Sequence, residues 1–402
     1  MNLPLLEGLR VIESSAFIAA PLAGLTLSQY GADVIRIDMI GGGIDYRRLP
    51  MAPGGRSLYW TGLNKGKRSL AVDLRQQAGR ELVQALVTAP GDTGGVLLTN
   101  IPSAWLSHDL LARQRPDLVS CTIQGNADGS TAVDYTVNAS AGYPAMTGAG
   151  SVASPVNSPL PSWDIACAYQ AAFAVAAAVN RRRRTREGAE IRMALSDVAF
   201  ATLSHLGLFA EAELLEEERP ALGNDIYGAF GRDFGTADGH RVMVAGISSG
   251  QWSALALACG LDTEWLAWDE ATRFELREEI SGVVGRWVRA RPLHEVERVF
   301  NEHRVCWGLY RTVKDLVEND ARVTLSNEVF ERVQTPGVGS HRAAGTPARL
   351  AGQVRGSTPP APWLGQHTEE VLQEVLGLND AQIGRMIDDG LVAGPDRDPF
   401  RT

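Results

Sequence analysis

The chain has 402 residues, of which 45% are hydrophobic and 21% charged. At roughly 150 residues per domain this is a two- or three-domain protein with a large core, which excludes a disordered chain or a disulfide-stapled mini-fold. The formal charge of −9 argues against nucleic acid or an anionic membrane as the main partner.

The first 125 residues alternate strand-like and helix-like patterns. Arg10–Ser15 reads as a buried strand, followed by a helix from about Ala20 whose Pro21 suits a first turn. Gly31 stops that helix, and DVIRI (Asp33–Ile37) is the next strand. Ser69–Leu74, Gly94–Thr99 and Leu118–Ile123 repeat the strand signal, with helices expected at Gln77–Val87 and Ala104–Arg113. Strands separated by helices of this length make βαβ units, so a Rossmann-like parallel sheet is expected. No G-x-G-x-x-G follows the first strand, which counts against nicotinamide and flavin chemistry, and no P-loop occurs, which removes the P-loop ATPases.

An Ala-rich helix runs from Asp164 to about Arg184, small on most faces and therefore expected to pack closely. Its RRRRTR end (Arg181–Arg186) either compensates the helix C-terminus or grips a phosphate. A strand (Glu190–Leu195) and a helix (Val198–Glu211) follow. FGRDFGTADGHRVMVAG (Phe230–Gly246) carries a hairpin signal at Asp238-Gly239. Helices rich in Trp, Leu and Arg then fill about 250–302. The tail holds two amphipathic helices, expected to be capped by Thr368 and Asn379. The expected organisation is a large α/β domain over 1–200 completed by 325–402, a connector at 201–224, and a smaller α+β domain at 225–324.

Four cysteines (Cys121, Cys167, Cys259, Cys306) lie far apart without a C-x-x-C pair, and seven histidines form no H-x-x-x-H. Neither a metal site nor a redox dithiol is expected, and free thiols fit a cytoplasmic location. The opening MNLPLLEGLR lacks a basic region followed by an apolar run, and the most apolar stretch, Ala171–Val179, is about half a membrane span. No leader and no membrane partner are therefore expected.

Asp164 opens its helix after Pro-Ser-Trp. It either caps the first-turn amides or, as a carboxylate kept ionised by the helix dipole in a dry apolar setting, attacks an activated carbonyl to form an acyl intermediate. Arg36, Arg47, Arg48, Lys65, Lys67 and Arg68 flank the early strands; they are either solvated loop charges or the answer to a phosphorylated ligand.

These residues also carry a resemblance. LEGLRVIE…AAPLAGLTLSQYGADVIRID, SLYWTGLNKGKRSLAVDL, the Asp164 helix with its RTREGAEIRMALSDVA continuation, and APWLGQHTEEVLQEVLGL resemble the class III CoA-transferases, the group of formyl-CoA transferase, carnitine-CoA transferase and methylacyl-CoA racemase. The resemblance spans nearly the whole chain in the right order. It implies a Rossmann-like large domain built from both chain ends, a small domain, and an interlocked homodimer. It implies Asp164 as the catalytic carboxylate, with coenzyme A, present as part of an acyl-CoA substrate rather than as a bound cofactor, lying across Ala16, Phe17, Lys67, Arg68, Asn100, Ile101 and Tyr135. In the racemase branch a His acts as a second acid/base where this chain has Val133, which counts against racemisation. GGGIDYRR, VDYTVN, LPSWDI and NDIYGAFGRDF resemble the branch that moves CoA between the two carboxyls of one methylfumarate. A second carboxylate needs a cation or hydrogen-bond donors; Arg47, Arg48 and Tyr135 are the candidates.

Overall fold

The computed structural model describes residues 3–148, 154–216 and 218–401. Its strands are β1 (Arg10–Ser14), β2 (Asp33–Met39), β3 (Arg68–Val72), β4 (Val96–Thr99), β5 (Val119–Gln124), β6 (Ala189–Ala194), β7 (Phe230–Gly235), β8 (Arg241–Gly246), β9 (Cys306–Leu309), β10 (Phe330–Thr335), β11 (Gly339–Ala344) and β12 (Val392–Ala393). A seven-stranded sheet runs in the order β12-β3-β2-β1-β4-β5-β6, all parallel except the edge pair β12–β3. The inner strands are rich in Val, Ile and Leu and buried along nearly their whole length, as a parallel sheet covered on both faces requires. The chain's C-terminal stretch supplies the seventh strand.

The chain divides into two compact units. One comprises 1–140, 159–209 and 322–402; the other comprises 141–158 and 210–321. The second is built on the antiparallel sheet β7-β8-β9 with helices Ser249–Cys259, Arg277–Arg289 and Leu293–Glu302. Its hairpin turns at Asp238-Gly239, with Gly239 at φ 84, and its core gathers Phe230, Phe234, Trp252, Val284 and Phe300.

The Asp164 helix spans Ser162–Thr185 and packs on helix Ala19–Gln29 and on β5 and β6. Ala168, Ala171 and Ala172 face inward together with Ala20, Ala23 and Gly24 of the first helix, so the small side chains give the close packing expected. Gly24 is obligatory there: a Cβ on it would come within 1.7 Å of Glu13 Oε2. By length and composition alone this is also the one helix among the described residues that could cross a membrane. Three of the arginines at its end are tied internally. Arg182 is buried and donates to Gly95 O (2.8 Å), while Arg181 pairs with Glu187 and Arg186 with Asp92. The structure thus favours compensation of the helix end over a phosphate grip.

Several local expectations are corrected. Ala104–Arg113 is a 3-10 turn (Ala104–Leu106) and a short helix (His108–Ala112). The stretch read as a connector at 201–224 contains the end of helix Leu195–His205 and all of Leu208–Leu214. Thr368 lies inside its helix, with His367 at the cap position; the Thr368 hydroxyl instead donates to Ala393 O and accepts from Ala71 N, stitching the helix to β12 and β3. Asn379 forms the full capping box with Gln382.

Candidate active site

In the central sheet the connection from β1 goes one way to β2, while β4 and β5 lie on the other side of β1. The crevice outside the carboxyl ends of β1 and β4 is therefore the switch point where α/β sheets bind ligands. Ser15-Ala16-Phe17 leaves β1 there and Asn100 leaves β4. Asn100 clamps Ala16 from both sides, accepting from its N–H (2.9 Å) and donating to its carbonyl (2.7 Å). Phe17 is held in the left-handed region (φ 62) with its N–H donated to Asp45 Oδ2 at 3.0 Å. A non-glycine residue is kept in that conformation only when its surroundings fix it.

What fixes it is a buried charge network. Arg36 donates to Asp38 (2.8 Å), Ser15 Oγ (2.9 Å) and Ser15 O (3.0 Å), and reaches Glu13 and Asp45 at 3.3 and 3.5 Å. Lys67 Nζ donates to Glu13 (2.9 Å), Pro21 O and Asn64 (2.8 Å each). Burial lowers the Lys67 ammonium to about 8 even though Glu13 opposes the shift. These charges make the floor of the crevice rigid.

Above the floor is a cleft of about 490 Å³ whose walls include Phe17, Arg48, Tyr59, Asn100, Tyr135 and Asp164. Arg48 lies over the Phe17 ring (5.5 Å) and the Tyr59 ring (4.9 Å) and forms no ion pair among the described residues. The Tyr59 hydroxyl is buried without an acceptor for its proton. A second cavity of about 670 Å³, lined by Pro102, His108, Arg192 and Asp197 among others, shares Gln124 with this cleft.

Asp164 is the third residue of its helix, and it does not cap it. Pro161 holds the cap position and offers no side-chain acceptor. Asp134, the first residue of helix Asp134–Ser140, takes the amides of Trp163 (2.6 Å) and Asp164 (3.1 Å) on Oδ2. Asn138, one turn on, accepts from the Trp163 indole at 3.0 Å. Asp164 therefore faces the cleft free of structural duty. Burial, reinforced by Asp134 and opposed by Arg48, raises its carboxyl to about 7. The expectation that the helix end keeps it fully ionised is corrected: the amides that would do so are already bound to Asp134, and desolvation dominates.

Of the expected site residues, the structure brings together Ala16, Phe17, Asn100, Tyr135 and Asp164; Ile101, next to Asn100 in the chain, is half exposed, is bonded through its N–H to Thr99, and does not line the cleft. It does not bring Lys67 or Arg68. Lys67 is sealed beneath the floor, and Arg68 is bound by Asp33, Glu370 and Glu374. Arg47 lies over Phe400 (5.6 Å), whereas Arg48 reaches the cleft. Val133 lines the cleft, so the position noted in the sequence is indeed at the site. Asp134 and Tyr59 escaped notice as functional residues; an acid one residue after Val133, opening a helix, was the available signal. Among the described residues no three His, Cys, Asp or Glu side chains cluster to hold a metal.

The parallel sheet with its switch-point cleft defines an α/β protein of the doubly wound class, and residues 6–368 match the family model of CoA-transferase family III. The chain belongs to that family. It is 48% identical over 404 residues to the 2-methylfumaryl-CoA isomerase of Chloroflexus aurantiacus, covering 98% of this chain and 99% of that one. It is 29% identical to the succinate–glutarate CoA-transferase of Agrobacterium fabrum, covering 92% and 96%. A CaiB/BaiF family protein from Brucella suis shares the fold, with a TM-score of 0.75 at 24% identity over 93% of this chain and all of that one.

Proposed function

We propose that the chain is an isomerase acting by intramolecular CoA transfer, converting 2-methylfumaryl-CoA to 3-methylfumaryl-CoA. The observation that carries the chemistry is an Asp164 carboxylate freed from capping and facing a cleft at the sheet's switch point; the substrate rests on the 48% identical relative. The Asp164 carboxylate attacks the thioester carbonyl and expels CoA thiolate, leaving a mixed anhydride. The thiolate attacks the aspartyl carbonyl, giving an Asp164–CoA thioester and free methylfumarate. The other carboxylate of the retained acid then attacks this thioester, and the thiolate returns to the new acyl carbon, restoring Asp164. Retaining both fragments is worth up to roughly 7–11 kcal/mol of barrier, and a dry cleft protects the anhydride from water.

In this reading the CoA chain passes Ala16, Phe17, Asn100, Ile101 and Tyr135 and continues past Gln124 into the neighbouring cavity. Arg48, unpaired and stacked between two rings, holds the free carboxylate. No metal or redox group takes part. Tyr169, Phe173 and Leu206 are 53%, 75% and 63% exposed, an apolar face that a second copy would cover in an interlocked homodimer. The reaction belongs in the cytoplasm. Val133, where a second acid/base would stand, disfavours racemisation.

The test is incubation of 2-methylfumaryl-CoA with excess isotopically labelled free methylfumarate. Product without label is expected; label in the 3-methylfumaryl-CoA would instead establish a two-substrate transferase.

A further inference from the structure

Two carboxylates meet at the start of the Asp164 helix and divide two tasks. A helix N-terminus presents unbonded amides and a partial positive charge, and an acidic side chain in the first turn is normally drawn to them. Asp164 stands in that first turn. The amides of Trp163 and Asp164 are nevertheless already bonded to Asp134, from a different helix, at 2.6 and 3.1 Å. Asp134 is 3% exposed, and the Trp163–Asn138 hydrogen bond locks its short helix onto the longer one.

We propose that Asp134 is a positioning residue for acyl transfer: it occupies the helix cap so that the Asp164 carboxylate points into the cleft, and it sets a second acidic group beside that carboxylate. The inference rests on Asp164 being the nucleophile. The groups around Asp164 are Asp134 at the helix start, Cys167 one turn along the same helix, and Arg48, Tyr59 and Tyr135 across the cleft. Arg48 is the one positive group among them, and Asp134 opposes it from behind. Burial raises the Asp134 carboxyl above its ordinary value, and the two amide donors pull it back toward the charged form. A more basic carboxylate is the stronger nucleophile toward a thioester carbonyl.

The capping and electrostatic tasks separate by substitution in the full-length enzyme. Asp134→Asn retains an oxygen for the two amides, since Asn caps about as well as Asp, but removes the charge. Its acid limb of kcat is expected to move about one pH unit lower, with plateau kcat falling roughly threefold and KM within about twofold of wild type. Asp134→Ala also leaves the amides vacant for Asp164 itself, and kcat is expected to fall at least about tenfold further with KM again held. An unmoved acid limb in Asp134→Asn overturns the proposal, as does wild-type kcat in Asp134→Ala. Should Asp134→Ala not fold, the Asp134→Asn pH profile decides alone. Undiminished turnover by Asp164→Asn would instead defeat the underlying reading of Asp164, so the two failures are distinct.

Discussion

Replacing Asp164 by Asn should abolish turnover and at the same time stabilise the fold. The Asp164 carboxyl is raised from 3.8 to about 7, mainly by burial with Asp134 adding to it. A carboxyl shifted that far costs on the order of 4 kcal/mol to ionise in the folded chain. One side of Asp164 opens on the cleft, so solvent screens part of this, leaving about 1–2 kcal/mol. The sign follows from proton binding: the native state holds this proton more tightly than the unfolded chain does. Native stability is therefore lost as pH rises from about 4 through 7, and the loss is complete above about 8. Asn carries no charge and escapes it. In thermal unfolding monitored by calorimetry, Asp164→Asn should exceed wild type by about 2–4 °C at pH 8, with little of that gain left at about pH 3.5, where both states hold the proton. Its isomerase activity should be down by at least about 10³-fold. An Asn variant no more stable than wild type at pH 8, or one gaining equally at both pH values, would refute the claim that a desolvated charge resides there.

Because the nucleophile must be ionised, wild-type kcat/KM should fall about tenfold per pH unit below an apparent value of about 7, measured by initial rates. Arg48→Met should move that limb to higher pH, since Arg48 is the group that lowers the Asp164 carboxyl, and should raise KM for the dicarboxylate thioester at least about tenfold. Lys67→Met should leave Glu13 buried with only Arg36 and Ser15 as partners and cost about 3–5 kcal/mol in urea denaturation; an unchanged midpoint would contradict the rigid-floor account.

The parallel sheet could be read in the sequence because each inner strand is a short run of Val, Ile or Leu between helical segments, a period tertiary packing had no cause to override. DVIRI and the Asp238-Gly239 hairpin fall where the pattern places them. Asp164 could be picked out by its place at a helix start, but not its freedom. That depends on Asp134, thirty residues away, and no local pattern reports which of two acids will win a set of amides. Lys67 and Arg68 show the complementary failure. A basic run before a strand looks like a ligand grip until folding brings Glu13, Asn64, Asp33 and two glutamates of helix Thr368–Leu376 to it. Thr368 looked like a cap for the same reason: its partners, Ala71 and Ala393, are distant in sequence. Residues 141–148 and 154–158, which the linear reading left in the large domain, group with 210–216 and 218–321.

The account stands most directly on Asp164 carrying CoA. Enzyme turning over 2-methylfumaryl-CoA, quenched in acid, digested and analysed by mass spectrometry, should yield the Asp164 peptide heavier by CoA less one water, and treatment with hydroxylamine should convert it to the hydroxamate. Product formation with that peptide unmodified throughout, or CoA found on a different side chain, would contradict it.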